Sequence, residues 1–242
     1  RSRYREKEKK IKIAKIKKLK YIDLTNEKIA SLEQFYQLLI QENEIHNLTR
    51  IVEHRDVWAK HFYDSLLICD EMDLSGKKIC DVGTGPGIPG IVLKICFPDI
   101  KLTLIESNAK KTSFLEKAVY ELKLSNVWIV TERAEKYSKT FKETQDIIIS
   151  RAVAALNVLL EIAVQALKVD GHFICLKSQK LDEELADLNG QEQQLGLQFV
   201  SIQHFDEEII GVRNNIIYQK VKPTSNTYPR MYAQIKNRPL GK

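Results

Sequence analysis

Between a strand-like run, KKICDV (77–82), and a helix-like run from Ile88 to Phe97 stands the segment Gly83-Thr84-Gly85-Pro86-Gly87-Ile88-Pro89-Gly90. Glycines at 83, 85 and 87 let the backbone turn sharply and approach a ligand with no Cβ in the way. A turn of this kind after a strand and before a helix is the place where α/β sheets hold nucleotide-containing ligands. The embedded Gly85-x-Gly87-x-x-Gly90 also satisfies the dinucleotide fingerprint, with Glu106 at the end of the next apolar run, where a carboxylate can meet ribose hydroxyls.

The fingerprint alone leaves two ligand classes open, and two local features separate them. A pyrophosphate needs amide N–H groups and positive potential at the helix start, yet Pro86 and Pro89 remove two donors and Asp81 adds a negative charge. S-adenosylmethionine carries a sulfonium and an ammonium and no phosphate, so an acid beside the turn favours it. The expected contacts are Asp81, Gly83 and Gly85 at the turn. Glu106 accepts from the ribose, and Ser107 and Asn108 line the same edge.

The rest of the chain sets this turn in an alternating pattern. Residues 25–44 place Ile29, Leu32, Phe35, Tyr36, Leu39 and Ile40 at helical spacing behind Thr25 and Asn26 as caps. A second helix is predicted over 56–72. From Lys78 onward, strand-like runs at 77–83, 101–107, 126–132, 145–152 and 172–178 alternate with helical stretches at 88–97, 110–122 and 154–167, the last closed by Gly171. Such alternation implies a parallel sheet covered on both faces. A polar helix over 181–195 then precedes two strands, 197–205 and 214–221, with no helix between them, an antiparallel finish at the sheet edge. The expectation is a Rossmann-like α/β fold of mostly parallel, seven-stranded type. Residues 1–20 form a basic extension, 21–75 a helical cap, 76–222 the ligand-binding domain and 223–242 a basic tail.

Charge divides along the chain. Residues 1–20 carry 11 Lys/Arg against 2 Glu and residues 213–242 carry 7 Lys/Arg and no acid, so a net charge of +6 conceals an acidic body between basic ends. Basic ends suit a phosphate-rich partner, because neutralising phosphates releases counterions. A solvated tail is the other reading. A mitochondrial presequence fits poorly, given the lysine bias and Glu6 and Glu8. The four cysteines, Cys69, Cys80, Cys96 and Cys175, lie far apart without metal-ligand spacing, which suits buried, reduced thiols in a cytosol and no metal. No apolar run is long enough to span a membrane. His46, His54 and His61 read as packing or surface residues, Asp64 and Ser65 as helix-packing partners, and Lys177 as facing either phosphate or solvent.

DVGTGPGIPG, LIESNAKKTSFL, NVWIVTERAE, SRAVAAL and FICLK, with NLTRI (47–51) and HFYDSL (61–66) upstream, resemble the bacterial small-subunit ribosomal RNA guanine-N7 methyltransferase family, formerly called glucose-inhibited division protein B. The resemblance runs in order over roughly residues 25–222. It implies an S-adenosylmethionine-dependent enzyme that methylates N7 of one guanosine, usually numbered 527, in 16S ribosomal RNA. The substrate would be the small subunit or its precursor, and the enzyme a cytoplasmic monomer. By the same resemblance Gly83 and Ile88 flank the donor, Glu106 to Asn108 hold its ribose, Ala134 and Glu135 border the adenine, and Arg151 sits near donor and incoming base. The tail departs from the family's Tyr-Pro-Arg-Arg-Pro-Gly pattern: here Tyr228-Pro229-Arg230 is followed by Met231-Tyr232-Ala233.

Guanine N7 has an in-plane lone pair and no proton at neutral pH, so its methylation calls for alignment and exclusion of water rather than a general base. Arg151 is therefore a positioning group, for a phosphate, O6 or the donor carboxylate. Ser150-Arg151-Ala152 stands where amine methyltransferases carry an Asn/Asp-Pro-Pro-aromatic loop, and no cysteine occupies that loop. Two other functions fit parts of the pattern: a nicotinamide-dependent oxidoreductase, and a non-catalytic ribosome-assembly factor that binds RNA.

Overall fold

The computed structural model describes residues 2–151 and 153–242; Arg1 and Ala152, the last residue of the Ser150-Arg151-Ala152 segment, lie outside the described residues. The chain opens with α1 (Ser2–Lys17) and α2 (Asn26–His46). Thr25 caps α2 by accepting from the Lys28 N–H, and Asn47 ends it in the left-handed conformation. Next comes one helical run of mixed pitch: α3 (His54–Asp56), a π-helical turn (Val57–Tyr63), α4 (Asp64–Leu66) and a 3-10 turn (Leu67–Asp70). The sequence predicts a plain helix here. The structure inserts a wide turn in which the Asp64 N–H reaches back five residues to the Ala59 carbonyl.

Strands and helices then alternate: β1 (Lys78–Val82), α5 (Gly90–Cys96), β2 (Lys101–Ile105), α6 (Ala109–Glu121), β3 (Val127–Val130), α7 (Ala134–Thr140), β4 (Gln145–Arg151), α8 (Leu156–Ala163) and β5 (Leu167–Lys177). After α9 (Leu181–Leu188) come β6 (Leu197–Glu207), β7 (Gly211–Lys220) and α10 (Tyr232–Asn237). The sheet runs β3-β2-β1-β4-β5-β7-β6, with β7 antiparallel to both neighbours and every other pair parallel. Seven strands with an edge hairpin match the sequence expectation.

Side-chain alternation divides the core in two. Ile79, Ile147, Ile149, Ile174, Leu176 and Ile217 face the cap helices, α5 and α6, while Cys80, Val82, Ile148, Phe173, Cys175, Ile216 and Tyr218 face α8 and α10. Ile16 and Leu19 join the first of these clusters, so the basic start of the chain is anchored in the core. All four cysteines are buried, and burial raises their thiols, those of Cys96 and Cys175 to about 12.

Two expected boundaries move. Gly171 does not close a helix; it lies inside β5, which begins at Leu167 and shifts register against β4 between Gln145 and Ile147. A Cβ there would sit 2.8 Å from the Asp146 carbonyl oxygen and 2.9 Å from that of Lys168, so the bulged strand excludes side chains. The predicted helix over 181–195 breaks at Asn189 and Gly190, both at positive φ, and resumes as a 3-10 turn. No described helix is long and apolar enough to cross a membrane.

Candidate active site

Strand order reverses direction between β1 and β4, and the crevice beyond their carboxyl ends is where an open α/β sheet accepts a ligand. The glycine turn lies there. Gly83, Gly85 and Gly87 all have positive φ (65°, 59° and 97°), as the sequence requires of them. At Gly83 an added Cβ would strike the Val153 side chain, whereas at Gly85 it would point into open space.

Hydrogen bonding inside the turn separates the two ligand classes more sharply than composition does. The Thr84 N–H donates to the Ile105 carbonyl, Gly85 to Glu106 Oε1 (3.2 Å), Gly87 and Ile88 to the Thr84 carbonyl, and Gly90 to Asp81 Oδ2 (2.8 Å). Pro86 and Pro89 have no N–H. Every amide from 84 to 90 is thus engaged or missing, and none is left to cradle a pyrophosphate.

A cleft of about 330 Å³ opens beside the turn. Val82, Gly83, Ile105, Glu106 and Ser107 form one wall, and Glu132, Arg133, Ala134, Glu135, Val153, Ile162 and Tyr232 complete it. Glu106 is held by the Gly85 N–H and by the Asn108 N–H (2.8 Å), which leaves each oxygen a further lone pair. Asn108 is not among the residues lining the cleft: its Oδ1 caps α6 by accepting from Lys110 and Lys111 N–H, while Glu106 and Ser107 line the wall. Ile88 lies in the apolar core under the turn.

Asp81 is also underneath. Its Oδ2 accepts from Thr84 Oγ1 (2.6 Å) and the Gly90 N–H, while its buried Oδ1 has no partner. Burial pushes its carboxyl up to about 7, the two hydrogen bonds and the Arg151 charge opposing.

Tyr232 was not foreseen from sequence. It comes from α10, and Arg133 lies over its ring at 4.1 Å while donating to Glu135 Oε1 (2.5 Å). Its one sequence signal is the tail's departure at Met231-Tyr232-Ala233.

Arg151, at the end of β4, lines a second cavity of about 310 Å³ with Ile51, Lys60, Asp64, Ile210 and Arg213. Its guanidinium donates to the Lys60 carbonyl (2.8 Å), to His61 Nδ1 (2.9 Å) and weakly to Asp64 Oδ2 (3.5 Å). Since arginine only donates, His61 Nδ1 is an acceptor and its proton sits on Nε2, facing Thr49 Oγ1 at 3.2 Å. Burial, and then the Arg151 charge, push His61 down to about 3. Asp64 also takes two bonds from Arg213, at 2.6 and 3.2 Å. His61 and Asp64, read from sequence as packing residues, are buried, and both also hold arginines that line a cavity. Residues of NLTRI, HFYDSL and SRAVAAL, distant in sequence, meet in this one network.

Lys177 faces neither phosphate nor solvent. Its Nζ donates to the Ala154 carbonyl (2.5 Å) and pairs with Glu184 (2.8 Å), pinning the loop after β4. His54 pairs with Glu33, and His46 lies at the surface beside Glu42.

A family model described as rRNA small subunit methyltransferase G matches residues 28–216. The chain belongs to this family. The ribosomal RNA small subunit methyltransferase G of Mycoplasma capricolum subsp. capricolum is 50% identical over 204 residues, covering 84% of this chain and 88% of that protein. The protein of the same name from Carboxydothermus hydrogenoformans is 39% identical over 222 residues, covering 90% and 94%. Among solved structures, a SAM dependent methyltransferase from Aquifex aeolicus shares the fold at a TM-score of 0.52 and 19% identity, over 68% of this chain and 93% of that one. In the terms of the rRNA small subunit methyltransferase G family, the fold is that of an S-adenosylmethionine-dependent methyltransferase, and an oxidoreductase is set aside. The family match begins in α2, which leaves α1 outside it.

Proposed function

We propose that this chain transfers a methyl group from S-adenosylmethionine to N7 of a guanine in 16S ribosomal RNA, at the position usually numbered 527. The observation that carries the donor assignment is the glycine turn, whose amides from 84 to 90 are all engaged or missing, beside a cleft lined by Glu106, Glu132 and Glu135. An acceptor-rich cleft suits a cationic ligand with hydroxyl donors. Glu106 and Ser107 would hold the ribose, Ala134, Glu135 and Tyr232 the adenine end, and Asp81 pins the turn from beneath through Thr84 and Gly90. When bound, the donor provides an electrophilic methyl on a sulfonium.

The protein's own part is placement. Arg151 is fixed from three sides by the Lys60 carbonyl, His61 and Asp64, ready to engage a phosphate or the guanine O6. His61, held neutral and feebly basic, cannot take a proton in the working range. That suits N7, whose lone pair needs no deprotonation. By the family resemblance, the enzyme would act as a cytoplasmic monomer on the small subunit or its precursor.

The test is transfer of labelled methyl to small subunits that lack the modification, with mapping of the labelled base. A single N7-methylguanine is the expected product; label on an exocyclic amine or a ring carbon refutes the reading, as does absence of turnover. Single-turnover rates at saturating donor should stay flat from about pH 6 to 9. Arg151→Ala should slow them at least tenfold without changing the profile's shape, because arginine does not titrate there. A rate rising along a titration that disappears in His61→Asn would overturn the base-free route.

A further inference from the structure

The first helix lies outside the family match, and its charges are sorted by the way it packs. Lys9, Lys12, Ile16 and Leu19 turn inward. Lys9 reaches Glu33 (3.3 Å) and the Trp58 ring, Lys12 and Lys15 lie over the Tyr63 ring, and Lys15 pairs with Glu207 (2.9 Å). On the opposite side, Arg3, Lys7, Lys10 and Lys17 recur at helical spacing with Lys18 beside them, all exposed. They form a cationic stripe roughly 21 Å long, with Glu6 the one acid at its edge.

The helix carrying this stripe packs on elements that wall the second cavity. Tyr63, which Lys12 and Lys15 cover, precedes Asp64; Glu207, which pairs with Lys15 and accepts from the Tyr63 hydroxyl (2.9 Å), lies on the hairpin that supplies Ile210 and Arg213 to the cavity wall. We infer that α1 is a docking surface for the phosphate backbone of the ribosomal RNA substrate, a rigid rail that leads the strand to the Arg151 cavity. The inference rests on the proposed RNA substrate. Charge complementarity selects the occupant, since the stripe offers ammonium and guanidinium groups to phosphates at several successive positions. An anionic membrane suits the stripe less well. A surface-binding helix needs a free apolar face, and here Ile16 and Leu19 are buried in the protein core.

The test neutralises the stripe without removing the helix: Arg3, Lys7, Lys10, Lys17 and Lys18 are changed together to Gln, a good helix former. Affinity for unmethylated small subunits at 0.15 M salt should fall at least tenfold. The log–log salt slope should shrink by about 0.7 to 0.9 for each phosphate that is no longer neutralised. The maximal methyl-transfer rate and the affinity for adenosylhomocysteine should match the parent, because none of the five side chains lines either cavity. Unchanged subunit affinity and salt slope overturn the inference. So does loss of binding to phosphatidylglycerol vesicles with RNA affinity intact. The two readings fail separately: a parent that binds RNA through the stripe but transfers no methyl refutes the activity and not the docking, whereas normal methylation indifferent to the stripe refutes the docking alone.

Discussion

The two basic ends of the chain look alike in sequence and differ in how many of their cations the fold engages. At the front, α1 buries a narrow apolar edge and leaves Arg3, Lys7, Lys10, Lys17 and Lys18 exposed. At the back, Arg213, Lys220, Arg230 and Lys242 are engaged by the fold, and Lys222, Lys236 and Arg238 stay exposed. Arg213 holds Asp64, and Lys220 donates to the Val164 (3.0 Å) and Leu167 (2.7 Å) carbonyls. Arg230 closes on the fully buried Glu161 at 2.7 Å, and Lys242 pairs with Asp187. Net charge counts residues; what a polyanion meets is the fraction left over after internal partners are satisfied.

Substitutions at the back should therefore register as stability. Arg230→Ala strands a buried carboxylate and should cost about 3 to 5 kcal/mol, lowering the melting temperature on the order of 10 °C. Adding Glu161→Gln should recover part of the loss. A stable Arg230→Ala protein with a weaker salt dependence of RNA binding would break the contrast between the ends. Lys220→Met leaves two buried carbonyls without a donor, at a cost of about 1 to 3 kcal/mol. Burial holds the Lys220 ammonium down to about 8, while the unfolded chain keeps that proton to about 10.5. Over that interval the unfolded state binds more protons, so stability from this group rises with pH, and Lys220→Met should abolish the rise in a pH series of denaturant melts.

Tyr232→Ala sharpens the comparison from within the tail. Loss of the ring under Arg133 should weaken adenosylhomocysteine binding about fivefold by calorimetry and leave RNA affinity untouched. The smallest effect belongs to the front: the five-residue neutralisation of α1 should move folding stability by no more than about 0.5 kcal/mol. A larger loss would mean that the stripe also braces the fold.

Sequence was a good guide wherever the determinant is local. Short apolar runs marked the strands, and the glycines at 83, 85 and 87 announced positive φ. Glu106 could be placed at a strand end by counting. The network around Arg151 has no such signature, because Thr49, His61, Asp64, Arg151 and Arg213 meet only once the cap has docked on the sheet. A faint signal was present: Asp64 stands among Phe62, Tyr63, Leu66 and Leu67, where a carboxylate needs a buried cation. Lys177 misled for the complementary reason, since its partner Glu184 lies on α9 and the polar pattern there speaks only of a solvated helix. Short helices such as α7 and α10 carry too few turns to show a period.

The π-helical turn bears on how this protein can be altered by insertion and deletion. Such a turn is an α-helix with one residue too many, so a one-residue deletion within 57–63 would restore ordinary pitch and improve the local hydrogen bonding. Each residue advances a helix by about 100°, and the same deletion would swing His61 or Asp64 off the axis that meets Arg151 and Arg213. Length in this stretch is therefore under a constraint opposite to that of a surface loop: the shortened chain would have the better helix and the worse enzyme.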